Sequence, residues 1–268
     1  MIPEISASKL AGFIGLHKYQ NPDEIFYEFL ARDSDGKKKI ADIQTEFNRT
    51  SYNKLVNEIL KDSAIRECIT CGLSATQRTT NVTGVLEDVQ QQAVAVLALR
   101  HENIPIELRN RLAEEVRGKV TTQRGLDNEE KILDSYEVAK QVKVTERNTK
   151  IIKRDFGTYK LVGRCDGYVA EKKRIVDSKD RTRVWPAVPL YDEIQLRCYM
   201  QLYDTVDAEL IERFPDKSNR NTVYSNDPVK WKHLHDLVEK NVLKLNETLA
   251  DDEELKRIVF ANTVEVVV

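Results

Sequence analysis

The feature that most constrains this chain is the run Gly163-Arg-Cys-Asp-Gly-Tyr168, followed after a short charged turn by Ile175-Val-Asp-Ser-Lys-Asp-Arg181. Side chains on a strand alternate faces, so Asp177 and Lys179 share one face while Val176 and Ser178 share the other. If Glu171-Lys172 closes a two-residue hairpin loop, residues whose numbers sum to 343 lie opposite each other, which sets Asp166 against Asp177 and Arg164 against Lys179. Two carboxylates then point at one spot. Like charges directly opposite destabilise a sheet unless something positive lies between them, and an oxygen-rich site for a hard cation such as Mg²⁺ or Mn²⁺ removes that conflict. Glu-Lys is not the Asn-Gly or Asp-Gly that favours a tight hairpin, and a one-residue change of register separates the aspartates. The plain alternative is a solvated charged hairpin, because Asp and Lys are mostly exposed residues.

A third carboxylate comes from Thr121 to Glu137. Asp127, with Glu130 three residues later, reads as an N-cap with its capping-box partner. Glu129 instead falls on the stripe of Leu126, Leu133 and Tyr136, the expected buried face of the helix. A buried carboxylate needs a partner.

These residues resemble the PD-(D/E)XK nucleases, and within them the phage lambda-type exonucleases and YqaJ-like viral recombinases. Ser6-Ala-Ser-Lys-Leu-Ala-Gly-Phe-Ile-Gly-Leu-His-Lys-Tyr19 is similar to the opening Ser-Ala-Ser helix, and Arg124-Gly125 with Glu129 to the Arg-Gly-x-x-x-Glu helix. Asp166-Gly167 with Asp177-Ser-Lys179 resembles the catalytic hairpin, and Gln195-Leu-Arg-Cys-Tyr-Met200 the glutamine-led helix after it. The four blocks keep the family's order over residues 1–20 and 120–240. The chain departs from the pattern in two places: Asp177 stands where Glu is usual, and residues 1–5 lack the Arg that holds a 5′-phosphate. The resemblance implies a metal-dependent DNA exonuclease in recombination or repair. Asp166, Asp177, the Ser178 carbonyl and Glu129 would hold Mg²⁺, with Mn²⁺ an alternative. Lys179 would position or deprotonate the attacking water, and Gln195 would bond the water or Lys179. Arg124, Ser8 and Ser6 would hold a terminal phosphate, each of them equally readable as a cap or surface contact. The implied partners are linear duplex DNA with 5′-phosphate ends, a single-strand annealing protein, and further copies of the chain in a ring.

Composition frames this reading. The 268 residues, 41% hydrophobic, suffice for one large domain, with 33–120 a helical extension and 121–249 the catalytic core. With 42 basic against 44 acidic residues the net charge is −2, so DNA contact is expected in a local groove helped by metal, not on a broad basic face. Neither a signal peptide nor a membrane-length apolar run is seen, which predicts a soluble intracellular protein and leaves the sequons at Asn48, Asn81 and Asn246 without meaning. Cys68, Cys71, Cys165 and Cys198 are expected as reduced thiols, the last two packing under the site. Cys68 and Cys71 have a metal-knuckle spacing but lack a second close pair.

The expected fold is α/β: a restriction-endonuclease-like core, a small mixed sheet flanked by helices, with an N-terminal helical elaboration. Helices are predicted through most of the first 140 residues, after Ser6, from Pro22 and over Leu86–Arg100, with 33–39 a charged loop. Strands are predicted at 142–145, 151–152 and 159–162, then a helix from Leu190 to Arg213, a strand near Thr222–Tyr224, and a helix from Pro228 to about Leu249. Thr263-Val-Glu-Val-Val-Val268 is strand-like, and either pairs at a sheet edge or continues into a longer chain. Two other classes stay open: a nucleic-acid-binding recombination partner with a decayed site, and a Cas4- or RecB-like nuclease with an iron–sulfur cluster, which would need three clustered cysteines after the core.

Overall fold

The structure, a computed structural model, describes residues 1–100 and 104–265. β1 (Glu4–Ser6) leads into α1 (Ala7–Phe13), where Ser6 takes the extended cap conformation without a side-chain capping bond. α2 (Pro22–Arg32) begins where expected: Asn21 accepts from the Asp23 N–H, and Pro22 sits in the first turn, where its missing N–H leaves no bond unmade. The run 33–39 is not a loop but the start of α3 (Ser34–Glu46). Asp33 accepts from the Asp35 and Gly36 N–H groups and Ile40 is buried, so a cap and an apolar contact outweigh a turn-like composition. Gly36 is needed for space, since a Cβ there would lie 2.3 Å from the Leu30 carbonyl oxygen.

β2 (Arg49–Ser51), α4 (Tyr52–Ile59), α5 (Ser63–Thr76) and α6 (Val82–Arg100) precede α7 (Ile106–Lys140), a helix of 35 residues. α7 buries Leu108, Leu112, Val116, Val120, Arg124, Asn128, Ile132 and Tyr136, every fourth position. Its first half closes an apolar cluster with α4, α5 and α6. In its second half, Ile132, Leu133 and Tyr136 lie against Val144, Val169, Val176 and Ile211. The helix expected to start at Asp127 therefore starts 21 residues earlier, and Gly118 and Gly125 are carried inside it by packing on both sides. Asp127 caps nothing: it accepts from Gln123 Nε2 at 2.8 Å, while Glu130 pairs with Arg147. Leu126, placed on the buried stripe by its spacing, is 56% exposed.

β3 (Ile152–Asp155) and β4 (Lys160–Gly163) form a three-stranded sheet in the order β1-β4-β3, with β1 parallel to β4. The strand expected at 142–145 reduces to one bridge, Thr145 to Tyr168. β5 (Gly167–Val169), β6 (Arg174–Asp180), β7 (Asp207–Arg213) and β8 (Asn219–Ser225) make a four-stranded sheet in that order, parallel only between β6 and β7. The crossover is α8 (Leu190–Tyr203). α8 was expected to run on to Arg213, but Asp204 turns left-handed at φ 53°, and β7 pairs on both edges and buries its middle residues. Sheet hydrogen bonds and burial override the helix-forming character of Ala208, Glu209, Leu210 and Glu212.

α9 (Pro228–Ala250) is capped by Asp227, α10 (Asp252–Ala261) was not foreseen, and β9 (Thr263–Glu265) pairs antiparallel with β2. The last three residues of the expected terminal strand, 266–268, lie outside the described residues. The whole is the expected α/β arrangement, small mixed sheets flanked by helices, with a helical elaboration before the β5–β6 hairpin. Among the described residues no helix is long and apolar enough to cross a membrane.

Leu133 is fully buried between α7 and the four-stranded sheet. Leu133→Ala should lower unfolding free energy by about 3 kcal/mol, read from urea denaturation; a loss below about 1 kcal/mol would mean that the helix does not bear on the sheet.

Candidate active site

β6 pairs with β7 over residues 174–180 but with β5 only over 174–176. Gly167, the first residue of β5, cannot carry a side chain, because a Cβ would lie 2.2 Å from Val144 Cγ1. The turn is also longer than expected: Ala170–Lys172 is a short 3₁₀ turn and Lys173 is left-handed at φ 47°. Opening the turn by one pair leaves the register unchanged, since Gly167 still faces Val176 and Val169 faces Arg174. The ladder stops before Asp166, so neither expected pair, Asp166 with Asp177 or Arg164 with Lys179, forms within it. Residues 177–180 of β6 therefore keep one edge uncovered.

Asp166 takes the place of the missing strand. Its Oδ2 accepts from the Ser178 N–H at 2.7 Å and from Ser178 Oγ at 2.9 Å. The Ser178 carbonyl leaves the strand on the same edge as its N–H, toward Asp166. Asp177, 1% exposed, lies 2.7 Å through Oδ2 from Lys179 Nζ, and neither of its carboxylate oxygens has an aligned hydrogen-bond donor among the described residues. Glu129 on α7 is half-buried and accepts from Asn148 Nδ2. A cavity of about 350 Å³ lies along the uncovered edge, lined by Gly125, Leu126 and Glu129 of α7 and by Asp166, Ser178, Lys179, Asp180 and Arg181.

The electrostatics follow from burial. It pushes the Asp177 carboxyl up to about 7, against the pull of Lys179 and with the help of Asp166. Burial also raises Asp166, opposed by Lys179 and reinforced by Glu129, and raises Glu129, opposed by the Asn148 bond and reinforced by Asp177. It pulls the Lys179 ammonium down, yet Asp177, Asp166 and Asp192 together hold that group above its ordinary value. The carboxylates thus share one lysine. An ammonium among several carboxylates stays charged, and the carboxylates are the groups short of positive charge.

Several residues at the site were not singled out from the sequence. Tyr199, buried on α8, accepts from Gln195 Nε2 at 2.8 Å, and its hydroxyl is pushed up by burial and by Asp177. Arg181 is buried and holds Asp192 at 2.7 Å and Glu212 at 2.8 Å, fixing the start of α8 against β7. Asp192 sits three residues before Gln195, in the first turn of α8. Gln195 itself reaches the site through Tyr199.

The expected phosphate ligands are placed elsewhere. Arg124 is buried, pairs with Asp180 Oδ2 at 3.0 Å and donates to the Arg181 carbonyl, and it lines a different cavity from Glu129. Ser6 and Ser8 lie within 3.3 Å of each other through their hydroxyls, and neither lines the cavity with Asp166. Of the cysteines, Cys165 and Cys198 are buried in the core beneath the site, whereas Cys68 and Cys71 belong to α5.

The donor set fits a hard divalent cation. The buried Asp177 carboxylate, whose one charge partner is Lys179, the Asp166 carboxylate and the Ser178 carbonyl are the oxygen ligands such an ion takes, and its charge supplies what one lysine does not. Among the described residues no three His, Cys, Asp or Glu side chains converge into a ready-made cage, so main-chain oxygen and water would complete the shell.

No protein-family model matches the chain, and no curated protein matches it. Among solved structures it is similar to a phage-related exonuclease from Haemophilus somnus, with 17% identity over 53% of this chain and 73% of that one and a TM-score of 0.38. It is also similar to the alkaline exonuclease LHK-Exo of Laribacter hongkongensis, with 11% identity over 95% and 92% of the two chains and a TM-score of 0.46. A complex of LHK-Exo with dAMP gives 14% identity over 66% and 84%, with a TM-score of 0.40.

The raised Asp177 carboxyl has a thermodynamic consequence. An acid whose folded-state pKa exceeds its unfolded value holds its proton more tightly when folded, so it destabilises the fold as pH rises from about 4 to about 7, by up to about 4 kcal/mol. In chelator, Asp177→Asn should therefore gain stability relative to the unmodified protein between about pH 5 and pH 8, and Mg²⁺ should reverse the gain. A pH-independent difference would show that Asp177 is not strained by its burial.

Proposed function

We propose that this protein hydrolyses phosphodiester bonds of DNA with the help of Mg²⁺ or Mn²⁺, acting as an exonuclease on ends. The observation that carries the reading is Asp177: a fully buried carboxylate without an aligned donor on either oxygen, beside Lys179 and near enough to Asp166 for the two charges to repel. A buried charge left in that state destabilises the fold, and it is retained most readily where a ligand supplies the missing partner. The preference for DNA and for ends rests on the sequence blocks shared with lambda-type exonucleases.

Each residue has a distinct task. Asp166 and Asp177, with the Ser178 carbonyl, would hold the ion, and Glu129 would join them on release from Asn148. The bound ion would supply a water of lowered pKa and charge to stabilise the phosphate. Lys179, paired with Asp177, would position or deprotonate the attacking water. Tyr199, bonded by Gln195, packs beside Lys179 and Asp177 and restricts where the ammonium can point. Arg181 anchors Asp192 and so holds α8 in place.

An end-labelled linear duplex, with and without a 5′-phosphate, tests the reading directly against a closed circle. Mg²⁺-dependent release of nucleotides from the linear DNA is expected, with little cutting of the circle. Asp177→Ala should abolish activity and weaken metal binding. Lys179→Ala should lower the rate by at least about 10² while largely sparing metal affinity, because only the aspartate is a ligand. Hydrolysis that survives chelator would overturn the metal assignment, and nicking of the circle without preference for ends would leave a metal-dependent endonuclease. Sedimentation of the protein tests the ring, and co-purification with an annealing protein tests that partnership. The non-catalytic reading draws on Glu129, which faces Asn148, and it would be adopted if DNA bound without any cleavage in either metal.

A further inference from the structure

Behind α7, away from Glu129, lies a larger cavity of about 780 Å³ between α7, the α5–α6 connection and the β7–β8 hairpin. It is lined by the cations Arg78, Arg124, Lys131, Arg213 and Lys217, and by no carboxylate among the described residues. In a chain of net charge −2 this is a local concentration of positive charge.

Little inside the protein neutralises it. Arg124 and Arg213 share the single buried carboxylate of Asp180, at 3.0 and 3.1 Å, and Lys131 has only the Asn128 amide oxygen at 3.4 Å. Glu209, behind the lining, is occupied by Tyr136, Arg174 and Asn221. The side chains of Arg78 and Lys217 make no hydrogen bond or ion pair among the described residues. Arg124 is only 6% exposed, yet its buried Nε has no partner. Cations gathered in a hollow repel one another unless an anion enters.

The rest of the lining mixes neutral polar side chains, among them Gln77, Thr79, Asn219 and Asn221, with the edges of Ile132, Phe214 and the Tyr136 ring. A bare inorganic anion would engage the cations alone, whereas a nucleotide would place its phosphate on the cations and its base among the amides and hydroxyls of the remaining lining. We propose that this cavity binds one nucleotide unit, apart from the cleavage site. The choice of a nucleotide rests in part on the nuclease reading above. The two cavities are divided by Asp180, which lines the smaller one and is held from the larger by Arg124 and by Asn128 Nδ2 at 2.9 Å. The unit is either a free mononucleotide or one residue of a strand, and the phosphate-and-base chemistry is common to both.

The test uses the full chain in chelator, so that cleavage plays no part. The probe is a fluorescent single-stranded oligothymidylate of about 12 nucleotides, within the usual site size of a strand-binding groove. Arg78 and Lys217 are both exposed, so the double variant Arg78→Glu with Lys217→Glu should fold. It should bind the probe at least about tenfold more weakly, and the slope of log affinity against log salt should become shallower by about 1.4. Competition identifies the source: displacement by dAMP but not by inorganic phosphate assigns a mononucleotide site, and displacement by unlabelled oligonucleotide alone assigns a unit of a strand. Equal displacement by phosphate and dAMP would reject any role of the base, and with it the nucleotide. Unchanged affinity and slope in the double variant would reject the site. Because binding is read without metal, charge-dependent binding by a protein that never cleaves DNA would reject the nuclease reading and leave this one standing.

Discussion

Two neighbouring strands of unequal length set up the chemistry of this molecule. β6 is paired along its whole length with β7 but for only three residues with β5, so the backbone of 177–180 faces a gap on one edge. A strand edge normally invites pairing by another strand. Here Asp166 fills the first place with a carboxylate in place of a peptide, accepting the Ser178 N–H and hydroxyl. One side chain thereby satisfies the edge and brings a second carboxylate beside Asp177. The gap cannot be closed by extending β5 backwards in register, because Asp166 has turned from the ladder to bond Ser178.

The helix that carries Glu129 belongs to both parts of the molecule. Its first half is buried by α4–α6 and its second by the sheet, so the helical elaboration braces the site through continuous backbone. The turn from Arg124 to Glu129 presents different faces to two cavities. Glu129, Gly125 and Leu126 face the carboxylates, while Arg124 and Asn128 face a cationic hollow. Asp180, on the β6 face opposite to Asp177 and Lys179, separates them. The alternation of a single strand thus sends Asp177 and Lys179 to one face and Asp180 to the other, where it meets Arg124 and Asn128 of α7.

The strand alternation and the hairpin register were legible in the sequence, because both depend on a period of two that no turn of even expansion disturbs. The period of two places Asp177 and Lys179 on one face of β6, whereas Asp166 lies beyond the end of the ladder and bonds Ser178. What was not legible depended on contacts distant in sequence. Asp207–Arg213 has helix-forming residues and becomes a strand because β6 and β8 offer partners on both edges. Asp127 has the appearance of a cap, but the helix is already running, sustained by packing that begins at Leu108. The sequence block suggests a DNA phosphate for Arg124, and what it meets is Asp180, in sequence one more charge after Lys179. Tyr199 and Arg181 were passed over because a tyrosine and an arginine next to known motifs carry no signal until their partners, Gln195, Asp192 and Glu212, are known.

The central claim is that the uncovered edge of β6 holds a divalent cation between Asp166 and Asp177. Crystals of the protein soaked in Mn²⁺ and measured for anomalous scattering test it most directly. The account predicts one strong peak with oxygens of Asp166, Asp177 and the Ser178 carbonyl at about 2.0–2.6 Å, lost in Asp177→Ala crystals. A protein that takes up no ion there, with Asp177 remaining alone beside Lys179, would contradict it.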